Sequence, residues 1–176
     1  KTLAETGYDV LTAPETRQAL GDITFITATD GNHGRGVAWT ATTLGQKSVV
    51  HMPRGSAAER LQNIRAAGAK ADIIDGNYDD AVRLSRKEAE ENGWVVVQDT
   101  SWEGYEEIPA RIMQGYCTMG LEAYEQLPQK PTHIFLQAGV GTMAAAIADG
   151  IEKDVYEKLG QKLWRIEGQQ NAFWIA

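Results

Sequence analysis

The stretch ITFITATDGNHG, residues 23–34, decides the fold. Its first half, Ile23–Ala28, is β-branched, aromatic and apolar without strict alternation, which is typical of a strand covered on both faces. The polar segment Asp30–Asn32 follows, and then a helical pattern over Val37–Leu44. A short apolar strand, a polar turn with glycine and a helix predict the first unit of a parallel α/β sheet.

The same pattern of a short apolar run and a longer amphipathic stretch repeats along the chain. Four further runs are predicted strands: Ser48–Met52, Ala71–Gly76, Trp94–Gln98 and His133–Gly139. Three of the intervening stretches are predicted helices: Ser56–Ala67, Tyr78–Asn92 and Glu106–Gln126. Alternating strands and helices predict an α/β fold, a parallel sheet with right-handed crossovers and helices on both faces.

Two of these helices have characteristic first turns. Ser56, followed three residues later by Glu59, predicts a capping box. Asp79 and Asp80 fall in the first turn of the helix that starts at Tyr78, where the positive end of the helix dipole favours carboxylates. Both starts therefore follow known rules of helix initiation.

Composition limits the possible functions. The chain has 176 residues, 43% of them hydrophobic, which is enough for a core. Its net charge of −7 argues against nucleic acid or an anionic membrane as a partner, because both need clustered Lys and Arg. No apolar run approaches the ~20 residues that span a bilayer. The single cysteine, Cys117, cannot form an internal disulfide, so we expect a cytoplasmic protein.

Three loops that follow predicted strands carry unusual polar residues or glycines. They are Thr29–Gly34, Asp99–Tyr105 and Gly139–Thr142. Because the carboxyl ends of parallel strands meet at one edge of a sheet, we expect all three loops at the same edge. Ligands of open α/β sheets bind at this edge.

The third loop fits a phosphate cradle. Gly139, Val140 and Gly141 allow an anion to approach the backbone closely, a helix N-terminus follows, and Thr142 can add a hydroxyl donor. The loop lacks the Gly-Lys-Ser/Thr ending of a nucleotide P-loop, so a nucleoside triphosphate is not indicated. The same spacing also fits an ordinary tight turn between a strand and a helix.

The first loop combines groups that can handle protons and polar ligands. Asp30 can accept a proton and Asn32 can hold a polar ring substituent, although the same residues also fit an Asx-turn with a helix cap. His33 is expected to be structural. Neither His51 nor His133 has a carboxylate or cysteine at metal-ligand spacing, so no metal site is predicted. No Gly-x-Ser-x-Gly motif supports acyl transfer.

Together these motifs resemble the diaminopropionate ammonia-lyase family of fold-type II pyridoxal-phosphate enzymes. The resemblance is carried by TDGNHGRG at 29–36, GNYDD at 76–80, QDTSWEGY at 98–105 and QAGVG at 137–141. It runs in unbroken order from about Leu20 to Ala148. It implies a tryptophan-synthase-β-like small domain over residues 1–128. Residues 129–176 are then the start of the large domain, with the phosphate loop and an unassigned tail.

The resemblance also implies an activity and roles for individual residues. The activity is α,β-elimination of 2,3-diaminopropionate to pyruvate and ammonia, with pyridoxal 5′-phosphate as cofactor, by a homodimeric lyase of amino-acid metabolism. Asp30 would be the base that removes the Cα proton of the D isomer, and Asp99 would orient the substrate amines. Asn32 would contact the phenolic oxygen of the cofactor, and the third loop would hold its phosphate. Thr29 and Tyr78 would lie at the substrate.

One family feature has no counterpart in the sequence. In the family a Schiff-base lysine precedes the asparagine loop, whereas Lys1 is the only lysine before Asp30. We therefore expect a partial chain that is inactive by itself. Two alternatives stay open: a non-catalytic α/β domain that binds a small anion at the glycine loop, and a lyase of the same fold that resembles serine or threonine dehydratase.

Overall fold

A computed structural model describes residues 7–129, 131, 133–137, 141–148, 166–169 and 172–175, the last two ranges by their backbone alone. The chain forms two compact units that divide between Gln98 and Asp99. The predicted assignment of 1–128 and 129–176 to a small and a large domain stays a prediction. Among the helices of the described residues, none is long and apolar enough to cross a membrane.

The first unit is a parallel sheet with its crossover helices. Its elements are α1 Tyr8–Leu11, α2 Pro14–Leu20, β1 Thr24–Ala28, α3 Asn32–Thr43, β2 Lys47–Met52, α4 Ala58–Ala66, β3 Lys70–Ile73, α5 Tyr78–Asn92 and β4 Val95–Val96. The strands lie in the order β3-β2-β1-β4, and every pair is parallel. The parallel sheet predicted from the apolar runs is confirmed.

Two hydrophobic clusters show that both faces of this sheet are covered. Neighbouring residues of β2 point to opposite faces, as the pleat requires. One cluster joins β2 to α3, α4 and β3 through Ala38, Val50, Met52, Ile64 and Ala71. The other joins β1 and β2 to α5 and β4 through Ile26, Val49, Ala89, Trp94 and Val96. The predicted α/β architecture with helices on both faces is therefore confirmed.

The direction in which the chain crosses the sheet reverses at β1. The chain passes from β1 through β2 to β3, and then returns to place β4 on the other side of β1. Right-handed crossovers in opposite directions put their helices on opposite faces, and open α/β sheets bind ligands outside the carboxyl ends of the strands at such a reversal. The loop that begins at Thr29 and the residue Gln98 follow these two strands directly.

The start of α4 differs from the prediction. α4 begins at Ala58, its N-cap is Ala57, and no side chain caps it. The N–H of Ser56 instead bonds to the carbonyl of Pro53 at 3.2 Å. The predicted Ser56–Glu59 capping box is therefore wrong, because Ser56 belongs to the turn that follows β2 and the helix starts two residues later.

The start of α5 carries the capping box that α4 lacks. The carboxamide of Asn77 accepts from the N–H of Asp80, and the carboxylate of Asp80 accepts from the N–H of Asn77, both at 2.9 Å. The bond from Asn77, and then the contact with Arg83, hold the pKa of Asp80 below its usual value. The pKa of Asp80 is lower in the folded than in the unfolded protein. The capping interaction therefore stabilises the fold at pH values above the unfolded-state pKa, and this stabilisation is lost as the pH falls through the folded-state pKa.

Replacing Asn77 with alanine is expected to lower the free energy of unfolding by about 1 kcal/mol, because the N–H of Asp80 loses its side-chain acceptor. Urea denaturation at neutral pH measures the change. Asn63→Ala is the control, since it removes the same side chain from an exposed helix position. Equal unfolding midpoints for the two variants would show that the box does not contribute to stability.

The second unit contains α6 Glu107–Gln126, β5 Ile134–Gln137, α7 over residues 142–148, β6 Ile166–Gln169 and β7 Ala172–Ile175. Here β7 pairs antiparallel with both β5 and β6. The run His133–Gly139, predicted as a further parallel strand, forms β5, but its pairing is antiparallel, with β7 as the partner. The inference that placed the third loop at the same sheet edge as the other two therefore loses its basis.

Candidate functional site

Thr29 builds the loop that follows β1. Its side chain is buried, with the residue 4% exposed, and its hydroxyl accepts from the N–H groups of Gly31 at 3.0 Å and Gly34 at 3.1 Å. These bonds tie the first turn of α3 to the end of β1. In the structure the Thr29 hydroxyl thus stabilises the loop. The expected contact of Thr29 with the substrate stays a prediction.

Asp30 and Asn32 present exposed side chains on this loop. The backbone of the loop is held from outside by Arg60 of α4, whose Nη1 donates to the carbonyl of Asp30 at 3.0 Å. The Arg60 side chain also covers Gly31, where an added Cβ would lie 3.0 Å from the Arg60 Cδ. The loop therefore offers a carboxylate and a carboxamide on a fixed backbone.

His33 anchors the start of α3 to β4. Its Nε2 lies 2.8 Å from the carbonyl oxygen of Val97 and 3.1 Å from the hydroxyl of Thr27. A carbonyl oxygen only accepts, so Nε2 carries the hydrogen in this arrangement. The imidazole thus joins β1 to the residue that follows β4. The structural role expected for His33 is confirmed.

Gln98 joins the same two strands and reaches Tyr78. Its Oε1 accepts from the N–H of Ala28 and the hydroxyl of Thr27, both at 3.0 Å. Its Nε2 donates to the carbonyl of Ala28 at 3.1 Å and to the Tyr78 hydroxyl at 2.7 Å. Tyr78, predicted at the substrate, therefore has its hydroxyl beside the carboxyl end of β1.

Asp99 lies in the second unit together with Thr142 and Tyr116. The hydroxyl of Thr142 donates to the carbonyl of Asp99 at 2.6 Å. Burial raises the pKa of the Tyr116 phenol, and the negative charge of Asp99 raises it further. Asp99 thus sits among groups from α6 and α7.

The third loop is described only from Gly141 onward. Gly139 and Val140 lie outside the described residues. Gly141 has a positive φ of 91°, and α7 starts directly after it. Because the Thr142 hydroxyl hydrogen is used by Asp99, an anion at this loop would meet the backbone N–H groups of the first turn of α7.

The donors described so far match the chemical groups of pyridoxal phosphate. The exposed carboxamide of Asn32 can donate to a phenolic oxygen, and the first-turn N–H groups of α7 can donate to a phosphate. Each of these two sets of donors, taken within its own unit, therefore fits one chemical group of this cofactor. Within that same part of the chain, no group of three or more His, Cys, Asp or Glu side chains could hold a metal ion.

Comparison with known proteins gives the class to which this fold and site belong. The family described as "Pyridoxal-phosphate dependent enzyme" matches residues 7–172. The chain belongs to this family. Among curated relatives, it is 56% identical over 144 residues to a diaminopropionate ammonia-lyase of Salmonella typhimurium, covering 80% of this chain and 36% of that protein. The chain thus spans little more than a third of the length of this relative.

Solved structures agree with the fold. The apo form of diaminopropionate ammonia lyase from Escherichia coli superimposes with a TM-score of 0.78 at 48% identity, covering 88% of this chain and 42% of that one. The same enzyme in complex with an aminoacrylate-PLP azomethine reaction intermediate gives 0.71 at 53% identity, covering 77% and 36%. The fold-type II architecture and the resemblance to diaminopropionate ammonia-lyase are therefore confirmed.

Two residues of the site escaped sequence reasoning. Gln98 ends an apolar run, and Arg60 is one of several charged residues on an exposed helix. Their partners lie 70 and 30 residues away in the chain, so no local spacing reveals them. Two indications for Gln98 were available: it begins the motif at 98–105, and it is an amide at the carboxyl end of a predicted strand.

Proposed function

We propose that this chain is part of a diaminopropionate ammonia-lyase that converts 2,3-diaminopropionate to pyruvate and ammonia. The observation that carries the proposal is the exposed Asp30 carboxylate, on a loop that Thr29 and Arg60 hold at the carboxyl edge of β1. The 56% identity to a relative of that name supports it. A fixed carboxylate at that edge of the sheet suits removal of a proton from a bound substrate.

When bound, pyridoxal phosphate supplies an electron sink that acidifies the Cα–H bond of the substrate. Asn32 would hold its phenolic oxygen, and the loop of Gly139, Val140, Gly141 and Thr142 would hold its phosphate. For Thr142 the donor is its backbone N–H, since its hydroxyl hydrogen is bonded to Asp99.

The residues of the chain then act on the substrate itself. Asp30 accepts the Cα proton of the D isomer, and the β-ammonium group leaves as ammonia with the electron pair of the Cβ–N bond. Asp99 orients the amines through ion pairing, and Tyr78 lies at the substrate. Water hydrolyses the released 2-aminoacrylate to pyruvate and a second ammonia. A modest carboxylate base suffices, because the acidity of Cα is already raised.

The proposal extends to the whole enzyme. The enzyme would be a cytoplasmic homodimer of amino-acid metabolism, with residues 1–128 in its small domain and residues 129–176 at the start of its large domain. The single Cys117 fits a reducing compartment. The size of the protein on gel filtration, together with fractionation of the source cells, tests these two points.

We expect the purified protein that carries this sequence, supplied with pyridoxal phosphate, to prefer 2,3-diaminopropionate over serine and threonine by about a hundredfold in kcat/KM. Serine and threonine carry a hydroxyl where 2,3-diaminopropionate carries its β-amine. A site that binds this β-amine with carboxylates strongly rejects analogues without it. Release of 2-oxo acid, coupled to lactate dehydrogenase, measures all three rates. Faster turnover of serine or threonine would indicate a dehydratase instead. Cofactor binding without turnover of any of them would indicate a domain that binds only an anion.

A further inference from the structure

Gln98 continues the sheet where β4 stops. β4 ends at Val96, and the N–H of Val97 still bonds to the carbonyl of Ile26 at 2.9 Å. At the next residue, the side chain of Gln98 instead of its backbone bonds to β1. Its carboxamide pairs with both the N–H and the carbonyl of Ala28, as the next residue of a strand would. The residue is 1% exposed, so these bonds form away from water.

The orientation of this carboxamide is determined by its partners. The N–H of Ala28 only donates, so it must face Oε1, and the carbonyl of Ala28 only accepts, so it must face Nε2. Nε2 is therefore fixed on the side of Tyr78, and the phenol oxygen must accept its second hydrogen, at 2.7 Å. A rotation of the amide would break the bonds to Ala28.

We propose that Gln98 is a positioning residue, whose buried carboxamide fixes the hydroxyl of Tyr78 at the carboxyl end of β1 for contact with the substrate. The inference rests on the proposed function, because the place of Tyr78 at the substrate comes from it. The bonds to Ala28 extend the sheet, whereas the bond to Tyr78 adds nothing to the strand ladder. That bond connects the sheet to the first residue of α5, and it sets where a substrate meets the phenol.

A double-mutant cycle with Gln98→Met and Tyr78→Phe tests the proposal in the full protein with its cofactor. Each single change should lower kcat/KM for 2,3-diaminopropionate about tenfold, the factor that corresponds to one hydrogen bond. The double variant should lose no more than the larger single loss, because without the Tyr78 hydroxyl the Gln98 carboxamide has no substrate-contacting group left to position. The affinity for pyridoxal phosphate should stay unchanged. Gln62→Met, at an exposed position of α4, is the control.

A second measurement does not depend on turnover. With 3-fluorotyrosine incorporated, the ¹⁹F resonance of Tyr78 is assigned by its loss in Tyr78→Phe. It should move in Gln98→Met and stay in place in Gln62→Met. An unmoved resonance, or losses that multiply in the double variant, would overturn the proposal.

Failure of the positioning role of Gln98 and failure of the proposed function give different experimental results. If Gln98→Met does not fold, Tyr78→Phe keeps Gln98 and both bonds to Ala28, and an unchanged kcat/KM in this variant refutes the role of the hydroxyl. If the unaltered protein does not convert 2,3-diaminopropionate, the proposed function fails. The ¹⁹F resonance still decides whether Gln98 fixes Tyr78.

Discussion

Replacing Asp30 with asparagine is expected to lower kcat/KM for D-2,3-diaminopropionate by roughly a thousandfold, within the range that general-base catalysis contributes. Asparagine has the same shape but cannot accept a proton in place of the carboxylate. The loop should keep its conformation, because Arg60 binds the carbonyl of residue 30 and Thr29 binds the N–H groups of Gly31 and Gly34. Steady-state release of pyruvate measures the loss.

The two isomers of the substrate separate this role from a general effect of charge. The L isomer presents its Cα proton on the opposite face, so its kcat/KM should fall far less. Asp22→Asn is the matched control, since it removes an exposed carboxylate whose nearest basic group is Lys47 at 3.9 Å. Equal losses for both isomers, or a similar loss in the control, would contradict the assignment of Asp30 as the base.

Replacing Gly34 with alanine is expected to destabilise the first unit by about 1–3 kcal/mol, the usual cost of adding atoms to a packed core. Gly34 is buried in the first turn of α3. An added Cβ there would lie 2.9 Å from Cγ1 of Val50 and even closer to Cγ2 of Thr29. Both neighbours are β-branched residues held in strands or by hydrogen bonds, so they cannot move aside easily. Urea denaturation measures the change.

Gly36 provides an opposite control on the same helix. A Cβ at Gly36 would meet no atom within 4 Å. Gly36→Ala should therefore stabilise the protein by up to about 1 kcal/mol through helix propensity alone. Opposite signs for the two substitutions would show that close packing of α3 on β1 and β2 requires Gly34. If Gly34→Ala also stabilised the protein, that requirement would not exist.

Local chemistry explains which parts of the fold could be predicted from the sequence. The bounds of α5, Tyr78–Asn92, agree with the prediction because a polar turn precedes the helix and Gly93, in a left-handed conformation, ends it. The parallel sheet was recognisable because β1 and β2 are short, β-branched and largely apolar runs, and both are buried along most of their length. Asp30 and Asn32 were identifiable because they sit in a short motif directly after a strand.

The errors concern choices that residue spacing alone does not decide. Ser56 has the right spacing for a cap, but whether the helix starts there depends on how the chain leaves β2 at Pro53. The antiparallel partner of β5 is β7, and nothing in either segment specifies the direction of pairing. Gln98 bonds across 70 residues to Ala28. Such contacts follow from the topology, which local periodicity does not encode.

The return of the chain to β1 also affects the order in which the molecule folds. β1, β2 and β3 join neighbours that follow one another in sequence, whereas β4 contributes only Val95–Val96 and reaches β1 after the others. The bond between Thr27 and Gln98 closes 71 residues of chain. Closing so long a segment is entropically costly, so this border forms late. Until then one edge of β1 is open to any other strand, and newly made chains are most exposed to mispairing beside the proposed site.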